Sequence, residues 1–520
     1  MTNPTVTRAS PAVRMVALAM LAPAGLAWLL TLVLPSLLTV ITSFERNNAL
    51  SRPSFAGLTN YGQLLPDTLL SLAAGVAVAI VPVIVVAVVA PLAAAGAQRS
   101  GAGGQRIVRI AFCVGIASFA PAAFSASLLA TLGFLGGGLL AIVLVTAIAS
   151  VAALLGIGGL ASLAALRSPG PRAVLLVAGL AAIATLAYVL QSFTFGYVFG
   201  GRSGPTTPAA LIFRTSVVYY QFGAAAVPAT ALGVVLGLLG IGALALILAS
   251  RMRISVGEAA ASGRKTVGYI AVAAAVLVVV VAQLPWIIAS FGGGHPVTNP
   301  FLTLLNTIGP SFLSATVQVG LAFLGGFGIG GLRPLGRFSE LLLIPFAPWL
   351  FVTAAPLSVA DFQIAHAVGS LNTWIGLISP VLVNVPALVF FTLLFAGQRA
   401  RSGGDLFGTV IVPALPAAAA VWMISWLVES VATVWPLLVG SDQKVWTGAV
   451  NAIAGAQQYV SRIDPVSLWL AAPLGVLALV VLAALQLTHL HRLQITLGDA
   501  PQPTGPRSPE PDTAVTRHGP

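Results

Sequence analysis

The chain alternates long apolar runs with short polar connections. A helix of about 20 apolar residues crosses the hydrocarbon core of a bilayer, and runs of that length recur about a dozen times. They predict spans at 15–43, 67–97, 110–134, 136–166, 173–199, 219–250, 266–291, 304–332, 338–360, 372–397, 405–439 and 467–488. The pattern is that of an all-α, polytopic membrane protein of about twelve transmembrane helices. Runs longer than one bilayer thickness imply tilt or interfacial extension. The first run follows Arg8 and Arg14 as the core of a signal peptide would. It is far longer than the roughly 7–15 residues of such a core, so it reads as a retained helix. The segment after Leu497 is polar and Pro-rich, the composition of a disordered tail.

The basic residues orient the spans. With the N-terminus inside, the outer connections hold Arg46, Arg52, Arg202, Arg214, Lys444 and Arg462. The rest of the 24 Lys and Arg residues, Arg99, Arg106, Arg109, Arg251, Arg253, Arg264 and Lys265 among them, fall on the inner side. The positive-inside rule therefore places both termini in the cytoplasm of a cell whose plasma or inner membrane holds the chain.

Composition sharpens this reading. Hydrophobic residues make up 58% of the chain and charged ones 7%, against about 25% charged in a soluble domain. The net charge of +12 is spread singly and in pairs between apolar runs. It forms no basic face with interleaved aromatics, so nucleic acid is not an expected partner. The single cysteine, Cys113, excludes internal disulfides and any CxxC site. His295, His366, His489 and His491 have no metal-ligand spacing. No Walker A sequence, and no nucleophile with a base and an orienting group, can be assembled, so the chain is not expected to be an enzyme or to bind ATP itself.

The charged stretch from Arg251 to Lys265 divides the spans six and six. It defines a first half over 1–252, a linker over 253–265, a second half over 266–497 and a tail over 498–520. An even number of spans gives both halves the same orientation, as in parallel transporter repeats, although any twelve-span chain divides in this way.

Four segments carry a closer likeness. Phe55-Ala56-Gly57-Leu58-Thr59-Asn60-Tyr61 follows the first span. Gly200-Gly201-Arg202-Ser203-Gly204-Pro205 precedes Leu211-Ile212-Phe213-Arg214-Thr215. Leu371-Asn372-Thr373-Trp374-Ile375-Gly376-Leu377-Ile378 comes before Pro380 and Pro386. Trp435-Pro436-Leu437-Leu438 leads to Ser441-Asp442. In this order they resemble the outer segments of the permease subunits of binding-protein-dependent ABC sugar importers, two subunits fused head to tail. The resemblance implies a permease for a sugar or similar small polar solute. It also implies two partners, a cytoplasmic ABC ATPase dimer that binds the ATP and an extracytoplasmic solute-binding protein.

The inner loops depart from that family. Its permeases carry an Glu-Ala-Ala loop with a short helix that docks on the ATPase, before the fifth helix of each subunit. Here the first such loop is only Arg167-Ser168-Pro169-Gly170-Pro171-Arg172, and two prolines disfavour a helix. The second, Gln398-Arg399-Ala400-Arg401-Ser402-Gly403-Gly404, lacks the Glu-Ala-Ala while keeping Gly403 and the later Leu415-Pro416. Glu258-Ala259-Ala260 lies in the linker, away from either loop. Arg167, Arg172, Arg399, Arg401 and Gly403 are thus the candidate ATPase-facing residues of loops that have lost their docking features.

Ionisable groups at membrane depth are functional candidates by default, and Glu429 in the eleventh span leads them. Glu340, near a span end, can snorkel to the interface. Gln191, Tyr197, Tyr219, Tyr220 and Gln221 could present amides, hydroxyls and ring faces to a sugar. Tyr also populates membrane interfaces without binding anything. Asn384 is a further candidate, with interhelical hydrogen bonding as its other role. The string Gly325-Gly326-Phe327-Gly328-Ile329-Gly330-Gly331 lies inside an apolar helix and reads as a close-packing surface. Beside the importer stand two other readings, an ion-driven secondary transporter and a degenerate permease that serves as a membrane scaffold.

Overall fold

The computed structural model of the chain describes residues 10–48, 51–132, 138–200, 206–257, 266–290, 297, 299–401, 405–458 and 472–498. The chain is almost entirely helical. In order the elements are α1 (Pro11–Ser43), β1 (Glu45–Asn48), β2 (Ser51–Phe55), α2 (Thr59–Gln98), α3 (Gly101–Ala117), α4 (Pro121–Leu132) and α5 (Leu139–Ala165). There follow α6 (Arg172–Leu190), α7 (Thr194–Phe199), α8 (Pro208–Val218), α9 (Phe222–Ala249) and β3 (Arg253–Val256). Next come α10 (Thr266–Ser290), α11 (Pro300–Gly331), α12 (Gly336–Trp349, wound as 3₁₀ turns) and α13 (Ala354–Ala367). The last are α14 (Val385–Arg399), α15 (Leu415–Ser430), α16 (Val434–Val439), α17 (Gly448–Gln458), α18 (Ala472–Thr488) and β4 (Leu493–Thr496).

Among the described residues, 8 helices are long and apolar enough to cross a membrane, or up to 10 if each of two bent helix pairs counts as one span. Large apolar side chains such as Leu26, Leu30, Ile80, Leu238 and Val280 stand exposed along these helices. A bilayer supplies the apolar surroundings that water cannot. The chain is an all-α protein built to be embedded in a membrane.

Local sequence sets the helix starts. Ser10 and Asn299 cap α1 and α11, each followed by a proline in the first turn. The side-chain oxygens accept an otherwise unpaired amide, and proline loses nothing where no intrahelical bond is due. Small residues set the packing. A Cβ at Gly115 would run into the Ala152 carbonyl, and one at Gly156 into the Phe112 carbonyl, so α3 and α5 lie nearly backbone to backbone. In the glycine string, a Cβ at Gly330 would strike the Thr392 carbonyl and one at Gly326 would lie 2.6 Å from Phe391 Cβ. That string is the seam between α11 and α14.

Several runs that read as single spans are interrupted. The run 110–134 breaks between α3 and α4 with a bend of 79°, and 338–360 breaks between α12 and α13 with a bend of 74°. The run 173–199 stops at Leu190 and resumes at Thr194, and 405–439 stops at Ser430 and resumes at Val434. The run 372–397 has one 3₁₀ turn at Ile375–Leu377 and is α-helical only from Val385, because Ile378 is extended and Pro380 cannot donate to a helix. Pro121 accounts for the first break in the same way, since proline disfavours a helical residue before it. Pro345 and Pro348 remove amide donors from α12. No proline lies within 191–193 or 431–433, and tertiary hydrogen bonds hold those breaks open instead.

Helices far apart in the chain pack together: α1 lies against α11, and α10 against α3 and α4. Strands β3 and β4, each just beyond a long helix, pair antiparallel with Ile254 opposite Ile495 and Ser255 opposite Gln494. The connection from Leu166 to Pro171 contains turns and bends without a helix. In the other loop Arg399 and Ala400 end α14, while Gly403 lies outside the described residues. Glu258-Ala259-Ala260, His295 and the 201–205 part of the Gly-Gly-x-x-Gly-Pro segment also lie outside them.

Candidate functional site

Five interruptions of the helical backbone converge on one cavity of about 460 Å³. Its wall takes Phe119 and Pro121 from the α3–α4 break, and Gln191 to Phe195 from the α6–α7 break. Leu350 to Ala355 come from the α12–α13 break, Asn384 to Pro386 from the start of α14, and Val431 to Trp435 from the α15–α16 break. Irregular backbone at membrane depth is tolerated where it lines a cavity or is buried in protein. Here side chains of one break hold the backbone of others.

Gln191 is the clearest case. Its Nε2 donates to the carbonyls of Ala187 (2.9 Å) and Phe351 (2.7 Å), and its Oε1 accepts from Thr353 N (2.9 Å) and Thr353 Oγ1 (2.8 Å). Both amide protons and both lone pairs are thereby used. Gln191 lines the cavity as a bolt between α6 and the α12–α13 break, with no hydrogen-bonding capacity left for a solute. Thr194 and Thr433 share a hydrogen bond of 2.9 Å that joins the α6–α7 break directly to the α15–α16 break.

Glu429 sits in the last turn of α15. Its Oε1 accepts from Gln318 Nε2 at 2.7 Å, and the same amide donates to the Val381 carbonyl at 2.9 Å. A carboxylate away from water needs such donors, because burying it alone costs several kcal/mol. Asn384 caps α14, its Oδ1 accepting from Ala387 N at 2.9 Å, and its Nδ2 reaches Ser425 Oγ at 3.3 Å. Trp435 Nε1 donates to the carbonyls of Gly376 and Ile378, 2.9 Å each, and so closes one side of the extended segment.

Of the residues singled out from sequence, Gln191, Asn384 and Glu429 meet in this cavity. Tyr197 does not line it; its ring stacks on Phe193 at 4.8 Å and stands edge-on to Phe213 at 5.2 Å. Tyr219 and Tyr220 lie on the surface between α8 and α9, 56% and 58% exposed. Gln221 beside them bridges to Asn48. Arg167, Arg172, Arg399 and Arg401 lie far along the chain from these breaks, at helix ends on the side of β3 and β4, where Arg401 Nη1 donates to the Val256 carbonyl at 2.9 Å. Glu340 pairs with Arg333 at 3.1 Å.

Sequence reasoning missed Tyr188, Ser192, Gln318 and Thr353. Tyr188 lines the cavity one turn before Gln191 and is 44% exposed. The Ser192 hydroxyl is buried in the same wall and has no partner among the described residues. Gln318 was detectable as an amide in an apolar span. Thr353 was not, because nothing marks the break that turns it inward. Tyr188, Phe119, Phe351 and Trp435 supply ring faces, and Glu429, Tyr188, Thr353 and Ser192 supply polar atoms. Such a wall suits a small solute with both apolar and hydrogen-bonding faces.

The Leu371–Ile378 and Trp435–Asp442 segments are tied to each other. Asn372, at φ 57° in the left-handed region that Asn tolerates, accepts on Oδ1 from Ser441 N at 2.8 Å and Asp442 N at 3.0 Å. Asn60 donates to the carbonyls of Ser43 and Glu45, closing α1 onto α2. Comparison with known protein families, with curated proteins and with solved structures finds no match to this chain.

Proposed function

We propose that the chain is the membrane-spanning permease of an importer for a sugar or similar small polar solute. It would form the whole translocation path from two fused, parallel halves of six spans each. The observation that carries this reading is the cavity where broken helices from both halves meet. Transporters place substrate at the junction of repeats, among discontinuous helices. Element order supports the two halves: bent pairs α3–α4 and α12–α13, short helices α7 and α16 after a break, and terminal strands β3 and β4 recur in the same sequence. Equivalent positions touch each other at both ends of the molecule, Thr194 with Thr433 and β3 with β4. That is expected of residues on a two-fold axis. Counting α14 and α18 with the ten longer candidates gives twelve spans.

With both termini in the cytoplasm, α6 rises about 1.5 Å per residue from Arg172, which puts Gln191 and the cavity near the outer side of the membrane. A solute-binding protein would deliver there. The inner loop 166–171 offers no docking helix, so an ATPase would have to couple through a shorter contact. That same observation favours a second reading, a permease-like scaffold that transports nothing. Affinity purification of the tagged protein from native membranes, with partners identified by mass spectrometry, separates the two. Co-purification of an ABC ATPase and a solute-binding protein in fixed ratio is the expected result. Recovery of neither, from membranes shown to contain both, would sink the importer and leave the scaffold.

A further inference from the structure

At the opposite end of the interface between the halves lies a cluster of basic side chains, Arg109 buried and Arg167 and His491 half-buried, with no carboxylate bonded to them among the described residues. Arg109, on α3, is 6% exposed, and its Nη1 reaches Gln486 Oε1 of α18 at 3.2 Å. Arg167, just beyond α5, is close enough for its charge to act on Arg109, and the Arg167 Nη1 is buried with no hydrogen-bond partner among the described residues. His491, between α18 and β4, has a buried Nδ1 in the same condition. The Ser168 hydroxyl donates to the Ile495 carbonyl and pins the Arg167 turn onto β4. The surroundings are uniformly positive. Burial holds the His491 imidazole below its ordinary range, and the Arg109, Arg492 and Arg167 guanidinium groups push it the same way. No acidic residue occurs in α3, α5, 166–171, α18 or 489–496. The ion pair of Arg333 with Glu340 lies elsewhere.

Buried like charges with unused donors are costly unless an anion satisfies them. A tetrahedral oxyanion offers several acceptor oxygens and up to two charges, and guanidinium groups match its geometry. We propose that Arg109, Arg167 and His491 form a binding site for a phosphate-type oxyanion, which ties α3, the 166–171 turn and the α18–β4 connection together across the two halves. The anion is either free in solution or the phosphodiester of a lipid headgroup. The site stands whether or not the chain is an importer, because it uses neither the cavity nor an ATPase.

The test uses the purified full-length chain in nanodiscs. In neutral phosphatidylcholine discs, binding of radiolabelled inorganic phosphate is measured by equilibrium dialysis. In phosphatidylglycerol discs without phosphate, lipid retained by the protein is counted by native mass spectrometry. One saturable phosphate site, or one retained anionic lipid, supports the proposal and names the source. Arg167→Gln, on a surface turn, should weaken that binding by about tenfold or more, the scale of one lost hydrogen bond to a charged group. Arg109→Gln should do the same if it folds, as judged by size-exclusion chromatography. Absence of both phosphate and lipid binding, or binding unchanged in Arg167→Gln and His491→Gln proteins that elute like the parent, would overturn it.

Discussion

The cavity and the Arg109 cluster bury polar groups in opposite ways. Around the cavity, Gln191, Gln318, Asn384, Thr194 and Thr433 are bonded to one another or to broken backbone. Around Arg109, charged donors face one another with Gln486 as their one side-chain acceptor among the described residues. The first arrangement, the Ser192 hydroxyl apart, satisfies itself and fixes a shape. The second is incomplete without something from outside. A buried polar group is therefore informative about function only once its partners are counted: Gln191, in the cavity wall, is saturated, whereas Arg167 and His491 are not.

Substitutions should separate the two ends. The largest loss is expected from Gln191→Leu, which strands the Thr353 amide and the Phe351 carbonyl. Each buried group left unpaired costs about 1–3 kcal/mol, so thermal unfolding in detergent should shift down by several degrees, and an unchanged midpoint would mean that water replaces the amide. Thr433→Val removes the bond to Thr194 and should cost about 1 kcal/mol in the same assay. Arg109→Gln should leave the midpoint unchanged or raise it in phosphate-free buffer, since it removes a buried repelling cation; a clear loss would show that the cluster is already satisfied. The smallest effect is that of pH. The folded state holds the His491 pKa below the ordinary value of about 6.5. Its contribution to stability is therefore full above that value and declines as pH falls from it towards the folded pKa, where the unfolded chain binds the proton more readily. His491→Asn should flatten that acid limb of the unfolding midpoint, and an identical limb would remove His491 from the account.

Hydropathy made the helices legible because span length and apolarity are properties of composition. It could not locate the breaks. Pro121 and Pro380 mark two of them, but 191–193 and 431–433 are opened by contacts with distant residues, and a local pattern carries no trace of those. The same limit explains the candidates. Gln191, Asn384 and Glu429 stand out as polar residues in apolar runs and do meet at the cavity. Tyr219, Tyr220 and Gln221 have the right chemistry but fall in the exposed connection between α8 and α9, where Tyr220 takes a positive φ of 54°. Thr353 and Ser192 looked like ordinary span residues until the breaks turned them inward. The basic cluster was visible only as scattered arginines that orient the spans, since Arg109 and His491 are far apart in sequence and are joined by the packing of α3 on α18.

The cavity as a solute path is tested most directly by labelling a cysteine placed in its wall. Cys113 is buried, which leaves the parent protein silent to a membrane-impermeant maleimide. Val428 lines the cavity and is 46% exposed. Val428→Cys in intact cells should react from outside, and the reaction should slow when a transported solute is present. A cysteine there that stays as unreactive as Cys113 from both faces of the membrane would contradict the path.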